Sequence, residues 1–233
     1  MLRKNCDIIV TCEHATNTIP PEYQPYFQNH KNLLESHRGY DIGAVEIITN
    51  MADILNVRFF QAKASRLLID NNRSLNNPNC FSFITKVLPH DIKDDIIKNY
   101  YNIYRNDVIL AMQNIIATGR SVLHLSIHSF TPVFNNKTRR GDIGILYDSS
   151  RPYELNLAKK WQCWLQKQDD HLIVRKNYPY FGKTDGLASF CRKLFDKEYY
   201  LGFEIESNQS KVILPENQIK FARLFADMSK NNF

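Results

Sequence analysis

The sequence predicts an α/β protein in which helices cover a central sheet, and three observations lead to this prediction. Short apolar runs typical of buried strands alternate with longer stretches whose apolar residues recur at helical spacing. The hydrophobic content of 43% is enough to build a full core. Polar clusters follow the ends of several predicted strands, where ligand crevices lie in sheets of this kind.

The predicted strands are short and rich in valine, isoleucine, leucine and phenylalanine. They cover residues 7–12, 57–60, 66–70, 121–128, 142–147, 172–175 and 200–206. Residues 66–70 fit either a full strand or only a strand end. Within 121–128, His124, Ser126 and His128 share one face, because side chains alternate along a strand.

Four stretches have helical spacing. They are residues 44–55, 91–117, 152–168 and 216–230, of which 91–117 forms one or two helices with Gly119 capping the end. Pro20, Pro21 and Pro25 exclude a long helix near the N-terminus. No linker rich in proline, glycine or serine divides the chain, so we expect residues 1–233 to form a single domain.

Composition and charge exclude several classes of protein. The formal charge is +6 with the basic residues spread along the chain, which suits an enzyme for anionic metabolites better than a nucleic-acid-binding protein. No apolar run approaches the roughly 18 residues of a membrane span, and the run at residues 8–10 is too short for a signal peptide. Five scattered cysteines without a CxxC pair indicate reduced thiols. We therefore expect a cytoplasmic protein without disulfides.

Two histidines at the ends of separate strands are candidate metal ligands. His14 follows the first strand and His128 ends a strongly apolar one. Either histidine alone is explained as well by a single hydrogen bond, but two that converge in a layered sheet could bind one zinc ion. His124 lies roughly 13 Å earlier along the same strand, too far to share an ion with His128, so its role is structural.

Asp41 and Glu13 compete for the place of a carboxylate ligand. Asp41 precedes a predicted helix and could simply be its N-cap. Glu13 is adjacent to His14, and neighbouring side chains in an extended segment point in opposite directions. If His14 faces the metal, Glu13 faces elsewhere, and this geometry favours Asp41.

Further polar residues could bind an anionic substrate and move protons. Arg66, Asn72 and Arg73 offer donors for a carboxylate or an oxyanion, although an ordinary Arg–Asp salt bridge explains the same residues. Glu204 and Glu206 share one face of a predicted strand, and one of them would be the general base. A solvated face of an edge strand is the alternative.

These segments together resemble the N-formylglutamate amidohydrolase family. The matching segments are TCEHA at 11–15, SHRGYDIGA at 36–44, SRLLIDNNR at 65–73, HSFTP at 128–132, GDIG at 141–144, NYPYFG at 177–182 and FEIE at 203–206. No single segment is specific, but seven in family order are hard to obtain by chance. They lie within residues 7–225, nearly the whole chain.

The resemblance implies a three-layer phosphorylase/hydrolase-like fold, with a mixed central sheet flanked by helices, and one zinc ion, as in the distantly similar zinc carboxypeptidases and aspartoacylase. It makes His14 and His128 ligands, with Asp41 as the third, because the position of the carboxypeptidases' glutamate ligand is here Asn17. The resemblance also implies roles towards the substrate. Asn72 and Arg73 hold its carboxylate, Arg66 stabilises the oxyanion and Glu204 is the general base.

The function expected from this resemblance is hydrolysis of a small, anionic N-acylated amino acid such as N-formylglutamate. One alternative is a hydrolase of the same fold that acts on another acyl-amino acid or on a peptide or peptidoglycan amide. Another is a non-catalytic binder of an anionic ligand. A serine hydrolase is disfavoured because the sequence has no GxSxG motif.

Overall fold

The computed structural model describes residues 5–230, and its centre is a mixed six-stranded sheet. The strands are β1 (Cys6–Cys12), β2 (Phe59–Gln61), β3 (Ser121–Phe130), β6 (Ile143–Leu146), β7 (Val174–Lys176) and β8 (Tyr200–Asn208), in the order β2-β1-β3-β8-β6-β7. Strands β2, β1, β3 and β8 are parallel, whereas β6 runs antiparallel to β8. A separate hairpin pairs β4 (Val133–Phe134) with β5 (Lys137–Thr138).

Helices cover both faces of this sheet and give the three layers that the family resemblance implies. They are α1 (Lys31–Leu34), α2 (Ala44–Leu55), α3 (His90–Ile96), α4 (Ile103–Ala117), α5 (Pro152–Gln168), α6 (Leu187–Leu194) and α7 (Pro215–Lys230). Two 3-10 segments, Pro21–His30 and Gln209–Lys211, and a π-helical turn, Ile97–Asn102, complete the set. Among residues 5–230, no helix is both long and apolar enough to cross a membrane.

The two faces of the sheet are buried in different hydrophobic clusters. Val10 and Leu123 pack with α2, α5 and α7, while Ile9 and Val122, their neighbours along the strands, pack with α4 and α6. This alternation follows from the two-residue period of a strand. Every residue of β3 and β8 is buried, as expected for central strands covered on both sides.

One sequence-based prediction, a strand at residues 66–70, and one alternative, an edge strand for Glu204 and Glu206, are wrong. Residues 66–70 form turns rather than a strand, with the Leu68 N–H donating to the Ser65 carbonyl and the Arg73 N–H to that of Asp70. Their apolar residues are buried in a separate cluster beneath the long loops, which explains the strand-like pattern. In addition, β8 lies between β3 and β6, so Glu204 and Glu206 are not on an edge strand.

His124 occupies a fully buried position between two strands. Its Nε2 lies 2.8 Å from the Thr11 hydroxyl and its Nδ1 lies 2.7 Å from the Tyr200 hydroxyl. Burial disfavours the imidazolium more than the charge of Glu13 favours it, so the pKa of His124 falls to about 4. The ring therefore stays neutral in the folded protein, in keeping with the structural role expected from its place on the strand.

This lowered pKa makes folding sensitive to mild acid. In the unfolded chain His124 is protonated below its ordinary pKa of 6.5, whereas in the folded protein it is protonated only below about pH 4. The unfolded state therefore binds more protons between these two pH values, and the free energy of unfolding falls as the pH decreases through this range. We expect the wild type to lose about 3 kcal/mol of unfolding free energy there that a His124→Gln variant does not lose. Urea unfolding at several pH values measures the difference. His171→Gln, at a fully solvated ring, is the control, and equal slopes for all three proteins would refute the assignment.

Candidate active site

The carboxyl ends of the central parallel strands bring the candidate residues to one edge of the sheet. His14 follows β1, His128 lies near the end of β3, and Glu204 and Glu206 lie on β8. The register pairs His128 with Glu206 and Ser126 with Glu204 across β3 and β8. The chain topology thus places two imidazoles and two carboxylates side by side, although they are far apart in sequence.

His14, Asp41 and His128 converge on one buried point. One potential ligand atom from each residue lies within 4.8 Å of the other two. Asp41 Oδ2 is 3.3 Å from His14 Nδ1 and 2.8 Å from His128 Nδ1, and the ring centroids of the two histidines are 5.0 Å apart. Both rings therefore direct the same nitrogen, Nδ1, towards the same carboxylate.

The Asp41 side chain takes part in this cluster rather than capping helix α2. The N-cap of α2 is Gly43, whose φ of +82° lies in the left-handed region that favours glycine. The Asp41 N–H donates to the His14 carbonyl at 2.9 Å, and the Ser129 N–H donates to Asp41 Oδ2 at 3.3 Å. These bonds fix the Asp41 carboxylate between the loops that follow β1 and β3.

The far side of each imidazole is held by a second acid. His14 Nε2 lies 2.7 Å from Asp70 Oδ1, and His128 Nε2 lies 3.1 Å from Glu13 Oε2. Glu13 also accepts hydrogen bonds from the Ser126 and Tyr104 hydroxyls. Acids in this position fix the orientation and the tautomer of a metal-binding histidine. Glu13 thus lies behind His128, whereas Asp41 faces Nδ1 of both rings, which favours Asp41 as the ligand.

The charges of this cluster stabilise one another. Burial alone would raise the carboxyl pKa values, but the neighbouring histidines outweigh it and hold the pKa values of Glu13, Asp41 and Asp70 well below their usual range. Burial likewise lowers the pKa of His128, yet its hydrogen bonds with Asp41 and Glu13 raise it well above the ordinary value. All three acids are therefore anionic and can balance a cation.

Arg66 forms salt bridges with two acids, as the simpler interpretation of the sequence expected. Its guanidinium lies 3.4 Å from Asp41 Oδ1 and 3.2 Å from Asp70 Oδ2. About a quarter of the side chain remains exposed, 27%, and it lines the cavity above the histidines. Arg66 can therefore hold both acids in place and still present a positive charge to a bound molecule.

Asn72 and Arg73 are held by hydrogen bonds at the N-terminus of helix α6. The Leu187 N–H donates to Asn72 Oδ1 at 2.7 Å, and Arg73 donates to the Asp185 carbonyl at 2.8 Å. Sequence reasoning missed α6 because its amphipathic pattern covers only eight residues, Leu187–Leu194, and it missed Asp185 because the contacts of this residue join distant parts of the chain. Arg73 and Asn72 both line the cavity, which has a volume of about 170 Å³.

Glu204 and Glu206 also line this cavity, and the pKa values of both are raised. Burial raises the pKa of Glu204 more than the positive charges of His128 and Arg192 lower it. Burial also raises the pKa of Glu206 to about 8, with Asp41 and Glu204 adding to the rise. Glu206 Oε2 is buried and has no hydrogen-bond partner among the described residues. A buried carboxylate oxygen without a partner is a costly feature that a nearby cation would relieve.

The donor set fits a divalent cation. Imidazole nitrogen and carboxylate oxygen are the ligands that zinc takes at about 2.0–2.2 Å, with a position left open for water in catalytic sites. One nitrogen each of His14 and His128 and an Asp41 oxygen already lie close enough together to surround one ion. The Glu206 carboxyl lies beside them, and a bound cation would lower its raised pKa and so add a negative charge to the site.

A mixed α/β sheet with an acid- and imidazole-lined cavity at the carboxyl ends of its central strands is the arrangement of an α/β protein that binds a small ligand at this edge of the sheet. The comparisons with known proteins identify the family to which the chain belongs. The N-formylglutamate amidohydrolase family model matches residues 6–210, so the chain belongs to that family of amidohydrolases. This match confirms the resemblance seen in the sequence.

Solved structures share the fold over almost the whole chain. The gene product Atu2144 from Agrobacterium tumefaciens is 25% identical with a TM-score of 0.82, and the match covers 97% of this chain and 90% of that one. N-formylglutamate amidohydrolase from Ralstonia eutropha JMP134 is 14% identical with a TM-score of 0.61, covering 95% and 90%. No curated protein sequence matches the chain significantly.

Proposed function

We propose that this protein is a zinc-dependent amidohydrolase that cleaves the amide of a small N-acylated amino acid such as N-formylglutamate. One observation carries the proposal: the ligand atoms of His14, Asp41 and His128 converge in a cavity that Glu204 and Arg73 also line. Membership of the amidohydrolase family supports the reaction class. The proposal adds the metal, the substrate and the residue roles.

His14, Asp41 and His128 would hold one ion per chain, with Asp70 and Glu13 orienting the two imidazoles. A bound zinc ion supplies a more acidic water and a polarised carbonyl. The ligand nitrogens are fixed before binding, because each ring is already hydrogen-bonded on both sides. This preorganisation lowers the cost of assembling the site.

Glu204 would accept the proton of the attacking water and later return it to the leaving amine. Its burial suits this exchange, because a raised pKa brings a carboxyl group closer to neutral pH, where both protonation states are accessible. Asn72 lines the same cavity as Glu204, so both side chains can face a bound substrate.

Arg66, Asn72 and Arg73 would bind the substrate and the developing charge. Arg66, whose side chain is 27% exposed and lines the cavity, would stabilise the oxyanion, an interaction worth about a hundred- to a thousandfold in rate for one donor. Arg73 and Asn72 offer a charged and a neutral donor to a carboxylate on the amino-acid part.

A second candidate substrate has a larger acyl group. Phe134 and Tyr180 line the same cavity, although 45% and 44% of these residues is exposed. Arg139 packs over both rings, with its guanidinium carbon 4.5 Å and 5.2 Å from the ring centroids. An aromatic rim of this kind would contact an acyl group longer than formyl, as in a peptide or peptidoglycan amide.

Metal analysis combined with a substrate panel tests the proposal. We expect elemental analysis of the purified protein to give about one zinc per chain, and a panel of N-formyl, N-acetyl and peptidyl amino acids to show hydrolysis. A chelator should abolish turnover, and added zinc should restore it. Full turnover after complete metal removal would contradict the metal role, and ligand binding without hydrolysis of any amide would identify a binding protein instead.

A further inference from the structure

Strand β6 stops short of the part of β8 that precedes Glu204. Leu146, the last residue of β6, is the register partner of Glu204, and in the described part of the chain no strand continues along this side of β8 towards Gly202. The backbone of Gly202 is bound by side chains instead. Its N–H donates to Glu154 Oε1 at 3.2 Å, and its carbonyl accepts from Arg192 Nη2 at 2.7 Å. Two side chains thus take the place of a strand, two residues before the proposed general base.

These two side chains form a buried ion pair that joins helix α5 to helix α6. Arg192 Nε lies 3.0 Å from Glu154 Oε1 and 3.1 Å from Oε2. Glu154 is fully buried, and only 6% of the Arg192 side chain is exposed. Burial would lower the pKa of Arg192, but the charge of Glu154 outweighs it, so the guanidinium stays charged. Charge-assisted hydrogen bonds of this kind fix the planar guanidinium in one orientation.

The same guanidinium also binds the loop that lines the active-site cavity. Arg192 Nη1 donates to the Gly182 carbonyl at 2.6 Å. Gly182 lies between Tyr180 and Thr184, and both of these residues line the cavity. Arg192 therefore ties this loop to strand β8, which carries Glu204.

The opposite end of α6 is packed against Glu204 and Asn72. The Leu187 N–H donates to Asn72 Oδ1 at 2.7 Å. A side chain added at Gly186, the N-cap of α6, would begin 3.3 Å from Glu204 Oε1 and 3.0 Å from Asn72 Oδ1. Helix α6 has only eight residues and Arg192 lies in its last turn. A shift of that turn would therefore move the end of the helix that contacts Glu204.

We propose that Arg192, held by Glu154, is a positioning residue for the general base Glu204. The inference rests on the proposed function, in which Glu204 accepts the proton of the attacking water. Arg192 does not line the active-site cavity, so it acts by holding β8, α6 and the loop at Gly182 in place. Misplacing a catalytic group by 1 Å can cost about a hundredfold in rate. The role of Arg192 should therefore be seen in kcat rather than in substrate binding.

Arg192→Lys tests this role with the positive charge kept. A lysine ammonium lacks the planar fork and cannot reproduce the bonds to Glu154, Gly182 and Gly202 together. We expect kcat to fall by about ten- to a hundredfold, KM to change by less than about threefold, and zinc content to stay at the wild-type level. Kinetics with the best panel substrate, elemental analysis and circular dichroism are measured on the same preparation.

A double variant keeps the test valid if the loss of the ion pair impairs folding. Arg192→Met leaves the buried Glu154 charge without its partner, and adding Glu154→Gln removes that charge. We expect the double variant to fold and its kcat to stay low, because Gly182 and Gly202 still lack the guanidinium. Recovery of wild-type kcat in the double variant would show that the guanidinium does not position Glu204, and the inference would be wrong.

Arg151→Lys is the matched control. Arg151 Nε also lies near Glu154, 3.6 Å from Oε1, and Arg151 also donates to a carbonyl of β8, that of Tyr200 at 2.9 Å. Within residues 5–230, however, no hydrogen bond joins it to Gly182 or Gly202. Its kcat should stay within about threefold of the wild type. Equal losses in both lysine variants, or an unchanged kcat in Arg192→Lys, would overturn the inference while the proposed hydrolysis stands.

Amide hydrogen exchange separates a failure of this inference from a failure of the proposed function, because it needs no turnover. The Gly202 and Leu187 N–H groups, bonded to Glu154 and Asn72, should exchange about tenfold faster or more in Arg192→Lys, but not in Arg151→Lys. If the wild type hydrolysed no amide while both N–H groups responded in this way, the proposed function would be wrong and the positioning of β8 and α6 by Arg192 would stand. Unchanged exchange together with unchanged kcat would refute the positioning itself.

Discussion

Replacing His128 with alanine should remove the bound zinc and lower turnover by about a thousandfold or more. His128 Nδ1 lies 2.8 Å from Asp41 Oδ2 at the centre of the cluster, so its loss leaves only two candidate ligands. Zinc contributes several kcal/mol of transition-state stabilisation in such sites, which corresponds to a rate factor of about a thousand. Elemental analysis and turnover of the best panel substrate measure the two effects together.

Folding has to be checked in the same variant. Without His128, Glu13 and Asp41 lose a buried partner, and breaking a buried ion pair costs about 3–5 kcal/mol. Asp41→Asn is a second variant that keeps the shape of the side chain, and it should also lose zinc. His171→Ala, at a ring with 94% side-chain exposure, is the control and should retain both zinc and activity. Full zinc content and full turnover in His128→Ala would refute the site.

The regular elements could be predicted from the sequence because their periodicity is strong. Helices α2 and α5 have the predicted bounds, residues 44–55 and 152–168, and β1, β3 and β8 include the apolar runs from which strands were predicted. Residues 66–70 were assigned wrongly because a buried loop and a buried strand have the same apolar composition. Periodicity over so few residues does not distinguish the two. The single domain and the cytoplasmic location remain predictions.

The candidate site was only partly accessible to sequence reasoning. Strand ends indicated His14 and His128, since the carboxyl ends of parallel strands meet at one edge of a sheet. The orienting roles of Asp70 and Glu13 could not be predicted, because each depends on a contact between residues far apart in the chain, such as Glu13 with His128. The same is true of Asp185, which accepts a hydrogen bond from the Ser74 N–H at 3.0 Å.

Glu204→Gln should lower kcat by about a hundred- to ten-thousandfold while zinc content stays at the wild-type level, because a general base contributes a factor of this size. Glutamine keeps the shape of the side chain but cannot accept the proton of the attacking water. Activity carried by an ionised base rises with pH through the pKa of that base, so the ascending limb of the pH profile should be lost in this variant. Zinc content, kcat and the pH profile are measured on the same preparation.

Glu206→Gln is the matched comparison, since Glu206 is buried on the same face of β8 and lines the same cavity. The Asn72 side chain, a proposed partner of the substrate carboxylate, lowers the pKa of Glu204. Glu206 is instead the register partner of His128 in the neighbouring strand, and the negative charge of Asp41 contributes to its raised pKa. We therefore expect Glu206→Gln to affect zinc affinity more than the proton transfer. If Glu206→Gln abolished turnover with zinc retained and Glu204→Gln did not, the roles of the two acids would be exchanged.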